Sequence, residues 1–226
     1  MPPELAAIVA ARNEEERLGD TLAALRAAFP GVRLIVADDA STDRTPEIAR
    51  AAGAELVRGE RRVGKGGANT RAAGHLLGES APEIVLLCDG DLGASAKELA
   101  PLVAAVERGE ADLAIGRFAR RVGGGFGITL NFSRRTVERL AGRSLEAPLS
   151  GQRALSHDVL EGVLPFAGGF GMETAMNVDA LRGGFSVVEL EVELQHRATG
   201  RSAAGFLHRG RQLRDIARVY LSRRKG

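Results

Sequence analysis

Two carboxylates that stand two residues apart are the strongest chemical signal in the sequence. Asp89, Gly90 and Asp91 follow the continuous apolar run from Ile84 to Cys88. Hard divalent cations take oxygen ligands and usually complete their coordination with substrate phosphates. We therefore expect Asp89 and Asp91 to hold a divalent metal, with Gly90 allowing the turn between them. The alternative on this motif alone is a solvated Asp-Gly-Asp turn that caps the next helix.

A second acidic segment, residues 38–45, follows another short apolar run. Carboxylates at a strand end accept hydrogen bonds from a nucleobase N–H or from ribose hydroxyls, and Asp39 is assigned that role. The polar residues after it are of types that cap a helix, and Asp43 is assigned mainly to capping.

A glycine-rich stretch, residues 59–67, leads into a helical pattern. Backbone N–H groups and the helix dipole favour an anion at such a position, so the loop is expected to meet the phosphate or ribose of a ligand. The stretch departs from a Walker A loop, because Gly66 stands where that loop needs Ser or Thr to hold magnesium. ATP hydrolysis is therefore not the expected chemistry.

These motifs lie at the ends of short apolar runs that alternate with helical patterns. The alternation predicts an α/β fold with a doubly wound, mainly parallel sheet flanked by helices, and ligands at the carboxyl ends of its strands. Asn13 and Glu16 have the spacing of a capping box, which places the start of the first helix there. The predicted strands are residues 5–10, 34–37, 54–57, 83–88, 112–116 and 186–194, and the predicted helices are 14–29, 45–52, 67–77, 95–108, 130–142 and 171–182.

Four ordered motifs together resemble family 2 glycosyltransferases of the GT-A fold, strongly over residues 5–118 and loosely over 145–202. They are Ala11-Arg12-Asn13-Glu14-Glu15, Asp38-Asp39-x-Ser41-x-Asp43-x-Thr45, Gly64-Lys65-Gly66-x-Ala68 and Asp89-x-Asp91. The resemblance implies an inverting, metal-dependent transfer of a hexose from a UDP- or GDP-sugar, with Asp91 central to catalysis and Mg²⁺ or Mn²⁺ on Asp89 and Asp91. The donor contacts that it implies are Ala10, Arg12, Glu14, Asp39, Lys65, Asp89 and Gly90.

The second half of the chain resembles the acceptor side of that family. Gln152 and Arg153 lie in a segment that resembles the acceptor loop, although Gln152 replaces the usual aromatic residue, which counts against a lipid acceptor bound in the usual way. Glu173 lies in a segment that resembles the one supplying an acidic residue near the acceptor. It is our candidate general base, because a hydroxyl acceptor needs a carboxylate to take its proton. The alternative is a glutamate that only opens a helix favourably.

Two further features lie near the end of the chain. Residues 196–202 resemble the family's H-R-x-x-G-x-S segment, which makes His196 a candidate third metal ligand or diphosphate contact and Arg201 a candidate phosphate contact on the acceptor side.

Residues 206–226 contain seven Lys or Arg but only Asp215 as an acid. They predict a basic amphipathic helix, which either lies on anionic lipid or packs on the body with a solvated basic face. A polyprenyl phosphate acceptor would favour the lipid alternative.

Composition limits the classes of protein and of location. A chain of 226 residues with 44% apolar residues predicts one catalytic domain, residues 1–205, with a nucleotide-sugar half (1–118) and an acceptor half (119–205). The single cysteine, Cys88, excludes a disulfide framework and suits a reducing compartment. No apolar run approaches the roughly 20 residues that span a bilayer. The expected location is the cytoplasm. Peripheral contact with the inner face of the membrane is a further expectation.

Two other functions fit parts of the sequence. A sugar nucleotidyltransferase shares the strand-end carboxylates and the metal, but it would carry a glycine-rich basic loop after the first strand, where residues 11–15 are acidic and lack glycine. A non-catalytic module that binds anionic surfaces would use only the basic tail. Nucleic acid is not an expected partner, since aromatic residues that stack on bases are scarce.

Overall fold

The computed structural model describes residues 4–79, 82–118, 127–194 and 203–224. Within these ranges seven strands form one sheet in the order β3-β2-β1-β4-β6-β5-β7. The strands are β1 (Leu5–Ala11), β2 (Arg33–Asp38), β3 (Glu55–Arg58), β4 (Ile84–Asp89), β5 (Leu113–Phe118), β6 (Arg153–Ser156) and β7 (Val187–Val192).

Helices cover both faces of this sheet. Short 3-10 turns at Gly93–Leu99 and Gly169–Gly171 precede two of them. The α-helices are α1 (Leu18–Ala28), α2 (Thr45–Ala51), α3 (Lys65–Glu79), α4 (Ala100–Glu107), α5 (Ile128–Ala141), α6 (His157–Val163), α7 (Met172–Arg182) and α8 (Ala203–Arg223).

The strand directions confirm the predicted α/β class with a mainly parallel sheet. Strands β3, β2, β1 and β4 run parallel, and β5 runs parallel to β7. Between the two parallel groups β6 runs antiparallel to both β4 and β5. Neither β6 nor α6 was predicted, because four strand residues followed by a seven-residue helix give too short a periodic signal.

The core consists mainly of Ala, Val, Ile and Leu on the two faces of the sheet. On one face Ile8 and Leu87 pack with side chains of α3, α6 and α7. On the other face Val9 and Leu86 pack with side chains of α1 and α4. Because side chains alternate between the faces of a strand, this two-sided burial explains why the strands are continuous apolar runs.

The predicted capping box at Asn13 is wrong. Helix α1 begins at Leu18, and Asn13 instead adopts a left-handed conformation with φ of 57°, which Asn tolerates better than most residues. Its side-chain oxygen accepts a hydrogen bond from the N–H of Thr42 (2.8 Å), and its own N–H donates to Ser41 Oγ (3.0 Å). Asn13 therefore joins the loops that follow β1 and β2.

The predicted C-terminal helix is present as α8, and it packs against α5, α7 and the Gly169–Gly171 turn. Ile216 and Val219 are buried in this contact. In the part of the chain that the structure describes, no helix combines the length and the apolar character needed to cross a bilayer. The predicted boundary between a domain ending at residue 205 and a separate helix stays a prediction.

Candidate active site

The carboxyl ends of β1, β2 and β4 bring the predicted donor residues to one edge of the sheet. Ala10 pairs with Asp89 across β1 and β4, and Ala11 pairs with Asp38 across β1 and β2. The N–H of Asp39, the residue after β2, donates to the carbonyl oxygen of Ala11 (3.1 Å). Residues that are far apart in the sequence are therefore neighbours at this edge.

The loop after β1 contributes Arg12, which is exposed, and Glu14, which is half-buried. The N–H of Glu14 donates to Thr45 Oγ1 (2.8 Å). Asp43 accepts from the N–H of Thr45 at the start of α2 (3.0 Å), so it contacts the helix start as expected, although Arg44 and not Asp43 occupies the N-cap position. Burial raises the pKa of Asp43, but hydrogen bonds from Thr45 outweigh it, and the pKa lies below its usual value.

Asp39 holds the loop that leads into α3. Its carboxylate accepts hydrogen bonds from the N–H groups of Val63 (2.7 Å) and Gly64 (3.0 and 3.1 Å), and the side chain is 7% exposed. Gly64 has φ of 82°, a conformation that favours glycine. Asp39 therefore fixes the start of α3 at the sheet edge, while its contact with a nucleoside stays a prediction.

Four side chains from separate parts of the chain meet beside the end of β4: Lys65 of α3, Asp89 of β4, Glu173 of α7 and Gln152 of the loop before β6. Lys65 Nζ, at the start of α3, lies 2.6 Å from Asp89 Oδ1 and 3.3 Å from Glu173 Oε1. Gln152 Nε2 donates to Asp89 Oδ2 (2.7 Å), and Gln152 Oε1 accepts from the N–H of Asp89 (3.2 Å). The lysine and the glutamine thus hold opposite oxygens of one carboxylate.

The electrostatics of this cluster keep Lys65 protonated. Burial lowers the pKa of Lys65, but the carboxylates of Asp89 and Glu173 raise it by more, so the pKa lies well above its usual value. The neighbouring Cys88 is buried, and burial followed by the charge of Asp89 raises the pKa of its thiol. Cys88 therefore packs in the core as a neutral thiol and is unsuited to act as a nucleophile.

Two glycines let these groups approach one another. A methyl group on Gly151 would lie 2.2 Å from Lys65 Nζ and 3.0 Å from Asp89 Oδ2. The N–H of Gly90 donates to the carbonyl oxygen of Ala10 (2.9 Å), and a methyl group on Gly90 would lie 3.2 Å from that oxygen. A side chain at Gly151 would therefore displace the Lys65 ammonium, and one at Gly90 would crowd the backbone of β1.

Two residues that the sequence did not single out hold the turn that carries Asp91. Thr21 lies in α1, and Arg17 immediately precedes this helix. Thr21 Oγ1 donates to the carbonyl oxygen of Gly90 (2.8 Å) and accepts from the N–H of Gly93 (2.8 Å). Arg17 Nη1 donates to the carbonyl oxygen of Asp91 (3.1 Å). A buried threonine on an otherwise aliphatic helix face was the available signal for Thr21.

The two predicted acceptor residues in this region have other partners. Gln152 and Arg153 are each 1% exposed, and Gln152 contacts Asp89 as described. Arg153 donates to the carbonyl oxygen of Ser150 (2.8 Å) and to Asn177 Oδ1 (2.7 Å), and burial lowers the pKa of its guanidinium to about 10. Arg153 therefore supports the loop before β6, and acceptor contact by these two residues stays a prediction.

The two remaining predicted site residues, His196 and Arg201, lie outside the described residues.

Among the described residues, one histidine and carboxylate cluster has ligand atoms within 4.8 Å of one another, namely Glu55, His75 and Glu79. It lies at the amino ends of the strands, opposite the site. Arg33 donates to Glu55 (2.6 and 2.8 Å) and to Glu79, so the cluster is an ion-pair network around a guanidinium.

Comparison with known proteins decides the family. The model of "Glycosyl transferase family 2" matches residues 6–161. The chain belongs to glycosyltransferase family 2. This glycosyltransferase is 33% identical over 208 residues to an uncharacterized glycosyltransferase of Mycobacterium tuberculosis, covering 88% of each chain. It is 31% identical over 212 residues to the undecaprenyl-phosphate mannosyltransferase of Micrococcus luteus, covering 86% of this chain and 85% of that one.

A solved structure extends the similarity to nearly the whole glycosyltransferase. It is the glucosyl-3-phosphoglycerate synthase of Mycobacterium tuberculosis, crystallised with Mn²⁺, uridine diphosphate and glucosyl-3-phosphoglycerate. The TM-score is 0.78 at 28% identity, covering 98% of this chain and 80% of that one. The predicted resemblance to GT-A family 2 enzymes is therefore confirmed. Membership of this family decides against the nucleotidyltransferase and the non-catalytic binding module.

Proposed function

We propose that this glycosyltransferase transfers a hexose from a nucleoside diphosphate sugar, with inversion at the anomeric carbon, to the hydroxyl group of a small acidic acceptor. The observation that carries the proposal is the cluster of Lys65, Asp89, Gln152 and Glu173 at the carboxyl ends of the strands. In it a lysine ammonium lies between two carboxylates, of which Asp89 would bind the metal and Glu173 would act on the acceptor. UDP is the favoured nucleotide, because the similar synthase was crystallised with it.

The donor is assigned to the sheet edge formed by β1, β2 and β4. Ala10, Arg12, Glu14 and Asp39 lie on the loops at the ends of β1 and β2, where an α/β sheet binds nucleotides. Lys65 begins α3, so its ammonium and the helix N-terminus both favour a diphosphate. The nucleoside therefore lies toward β2 and the diphosphate toward β4.

Asp89 and Asp91 are the residues that would hold Mg²⁺ or Mn²⁺. Their carboxylate oxygens are the hard donors that these ions prefer, and Gln152 fixes the orientation of Asp89 as outer partners of metal ligands do. The similar synthase was crystallised with Mn²⁺. When bound, the ion offsets the negative charge that develops on the leaving diphosphate. His196 remains a proposed third ligand and Arg201 a proposed phosphate contact.

Glu173 is proposed to accept the proton of the acceptor hydroxyl. Its side chain is 11% exposed and lies 3.3 Å from Lys65 Nζ. The acceptor oxygen attacks the anomeric carbon from the face opposite the diphosphate, the bond from that carbon to the phosphate oxygen breaks, and the proton passes to the carboxylate. A phosphate acceptor is already ionised at neutral pH and needs no such base, so a carboxylate at this position favours a hydroxyl.

A polyprenyl phosphate acceptor is the second candidate, with contact at a membrane surface. The groove between α5 and α8 supports it, because Ile128 is 59% exposed there beside Phe132 and Leu213. Arg135 and Arg214 line the same groove, so an apolar chain and a phosphate both find complementary groups. The similar mannosyltransferase of Micrococcus luteus is named for a polyprenyl phosphate acceptor.

The substitution Glu173→Gln tests the acceptor class. It keeps the size of the side chain and removes the base, so transfer to 3-phosphoglycerate from UDP-glucose should slow about 100-fold or more. Binding of UDP measured by calorimetry should be unchanged. An unchanged rate with 3-phosphoglycerate would remove Glu173 as the base. A wild-type enzyme that uses undecaprenyl phosphate alone would establish the second candidate in place of the first.

A further inference from the structure

The turn that precedes Glu173 is enclosed between two helices. On the side of α3, a methyl group on Gly66 would lie 2.0 Å from the carbonyl oxygen of Ala167, and one on Gly64 would lie 3.6 Å from Gly169 Cα. The backbone of residues 167–169 therefore rests directly on the start of α3. Glu173 follows in the first turn of α7, so the position of this turn determines the position of the carboxylate.

On its other side the turn contacts Asp215 of α8. This side chain is 10% exposed, and its Oδ2 accepts a hydrogen bond from the N–H of Phe170 (3.2 Å). A methyl group on Gly169, which has φ of 63°, would lie 2.3 Å from Asp215 Oδ2. A methyl group on Gly171 would lie 2.8 Å from Val219 Cγ2. The turn and α8 thus fit together with no room for a side chain between them.

Among the residues whose side chains are described, two arginines of the same helix pair with Asp215. Arg214 lies 3.3 Å and Arg218 lies 3.4 Å from Asp215 Oδ1. Their side chains are 58% and 68% exposed, and ion pairs at such exposure contribute little. The two oxygens of Asp215 therefore have different partners, with Oδ1 facing solvated arginines and Oδ2 holding the backbone of the turn.

We propose that Asp215 is a positioning residue for Glu173. It holds the 168–171 turn against α3, and the turn sets the start of α7, so the Glu173 carboxylate stays beside Lys65. This inference rests on the proposed function, which makes Glu173 the base. It makes the C-terminal helix a part of the catalytic apparatus, independent of any contact with lipid.

The test compares Asp215→Ala and Asp215→Asn with Arg223→Gln in the full chain. Arg223 pairs with Asp179 (2.6 Å) at the far end of α8, so its loss weakens the same helix contact without touching the turn. For Asp215→Ala we expect kcat with 3-phosphoglycerate to fall about 10- to 100-fold, since a displacement of about 1 Å is enough for such a loss. KM for UDP-glucose should change less than about twofold, because ground-state binding of the donor is untouched. Asp215→Asn, whose amide oxygen still accepts from Phe170, should recover most of the rate.

A second measurement works without turnover. Acetylation of Lys65 by acetic anhydride, followed by mass spectrometry, should be several-fold faster in Asp215→Ala than in the wild type and unchanged in Arg223→Gln. Equal kcat in Asp215→Ala and wild type, or an equal loss in Arg223→Gln, would overturn the inference. A wild type without transferase activity would refute the proposed function. The acetylation rate of Lys65 would then still show whether Asp215 keeps Glu173 beside Lys65.

Discussion

At the scale of single residues, Asp89 has two partners that set its orientation. Lys65 lies on one oxygen, and Gln152 binds the other oxygen and the backbone N–H. A carboxylate held in this way keeps one geometry toward a cation, and outer partners of metal ligands typically change metal affinity by about 10- to 100-fold. We therefore propose that Gln152 orients the carboxylate that would bind the metal, while its contact with the acceptor stays a prediction.

The substitution Gln152→Leu tests this assignment. It keeps the approximate size of the side chain and removes both hydrogen bonds to Asp89, so the affinity for Mn²⁺ in the presence of UDP should fall about 10- to 100-fold. Electron paramagnetic resonance of free Mn²⁺ measures the change. Asn131→Leu, which removes an exposed amide on α5, serves as the control. Unchanged Mn²⁺ affinity in Gln152→Leu would contradict this role and leave contact with the acceptor as the predicted role of Gln152.

Sequence patterns identified the types of the site residues better than their partners. The carboxylates at strand ends and Lys65 at a helix start follow from local spacing, and the structure brings Lys65, Asp89 and Glu173 together. The bonds of Arg153 to Asn177 and of Gln152 to Asp89 join residues 24 and 63 positions apart. No local pattern encodes such contacts, because they arise only when β6 inserts between β4 and β5.

At the scale of elements, the amino ends of β2 and β3 and the last turns of α3 are joined by an ion-pair network. Arg33 lies 2.6 Å from Glu55, and His75 lies 2.9 Å from it. Hydrogen bonds from Arg33 lower the pKa of Glu55 to about 2, below its usual value of 4.5. A carboxyl group with a lowered pKa stabilises the folded state above its unfolded pKa and loses that contribution as the pH falls through its folded pKa.

The substitution Glu55→Gln should therefore lower the melting temperature at neutral pH by about 2–4 °C, the shift expected for roughly 1 kcal/mol in a chain of this size. The difference from wild type should shrink below pH 4.5 and vanish near pH 2. Thermal unfolding followed by circular dichroism across this range measures it. Glu110→Gln removes a more exposed pairing, with Arg108, whose two side chains are 59% and 53% exposed, and is the control. A difference independent of pH would contradict the assignment.

The start of α1 shows why local patterns mislead at loops. Asn13 and Glu16 match a capping box, but the helix begins at Leu18. Asn13 is used instead by the neighbouring loop, where Thr42 donates to it. Asn serves both roles with the same side-chain oxygen, and only the parallel pairing of β1 with β2 selects between them.

At the scale of the whole molecule, the order of strands explains the site. Because β1 lies between β2 and β4, the loops after these three strands share one edge of the sheet, and residues 39, 89 and 91 all lie at that edge. The alternation of strands and helices was sufficient to predict this part of the fold. The insertion of β6 and the packing of α8 on the turn before Glu173 depend on long-range contacts, and the sequence alone did not predict them.

The most direct test of the account is calorimetric titration of UDP into the wild type and into Asp91→Asn, each with Mn²⁺ and with EDTA. The account predicts that UDP binds the wild type with Mn²⁺ and that either EDTA or Asp91→Asn weakens binding by at least about tenfold, with an unchanged melting temperature. Binding of UDP that is equally tight in EDTA, or equally tight in Asp91→Asn, would contradict a metal-dependent donor site at the end of β4.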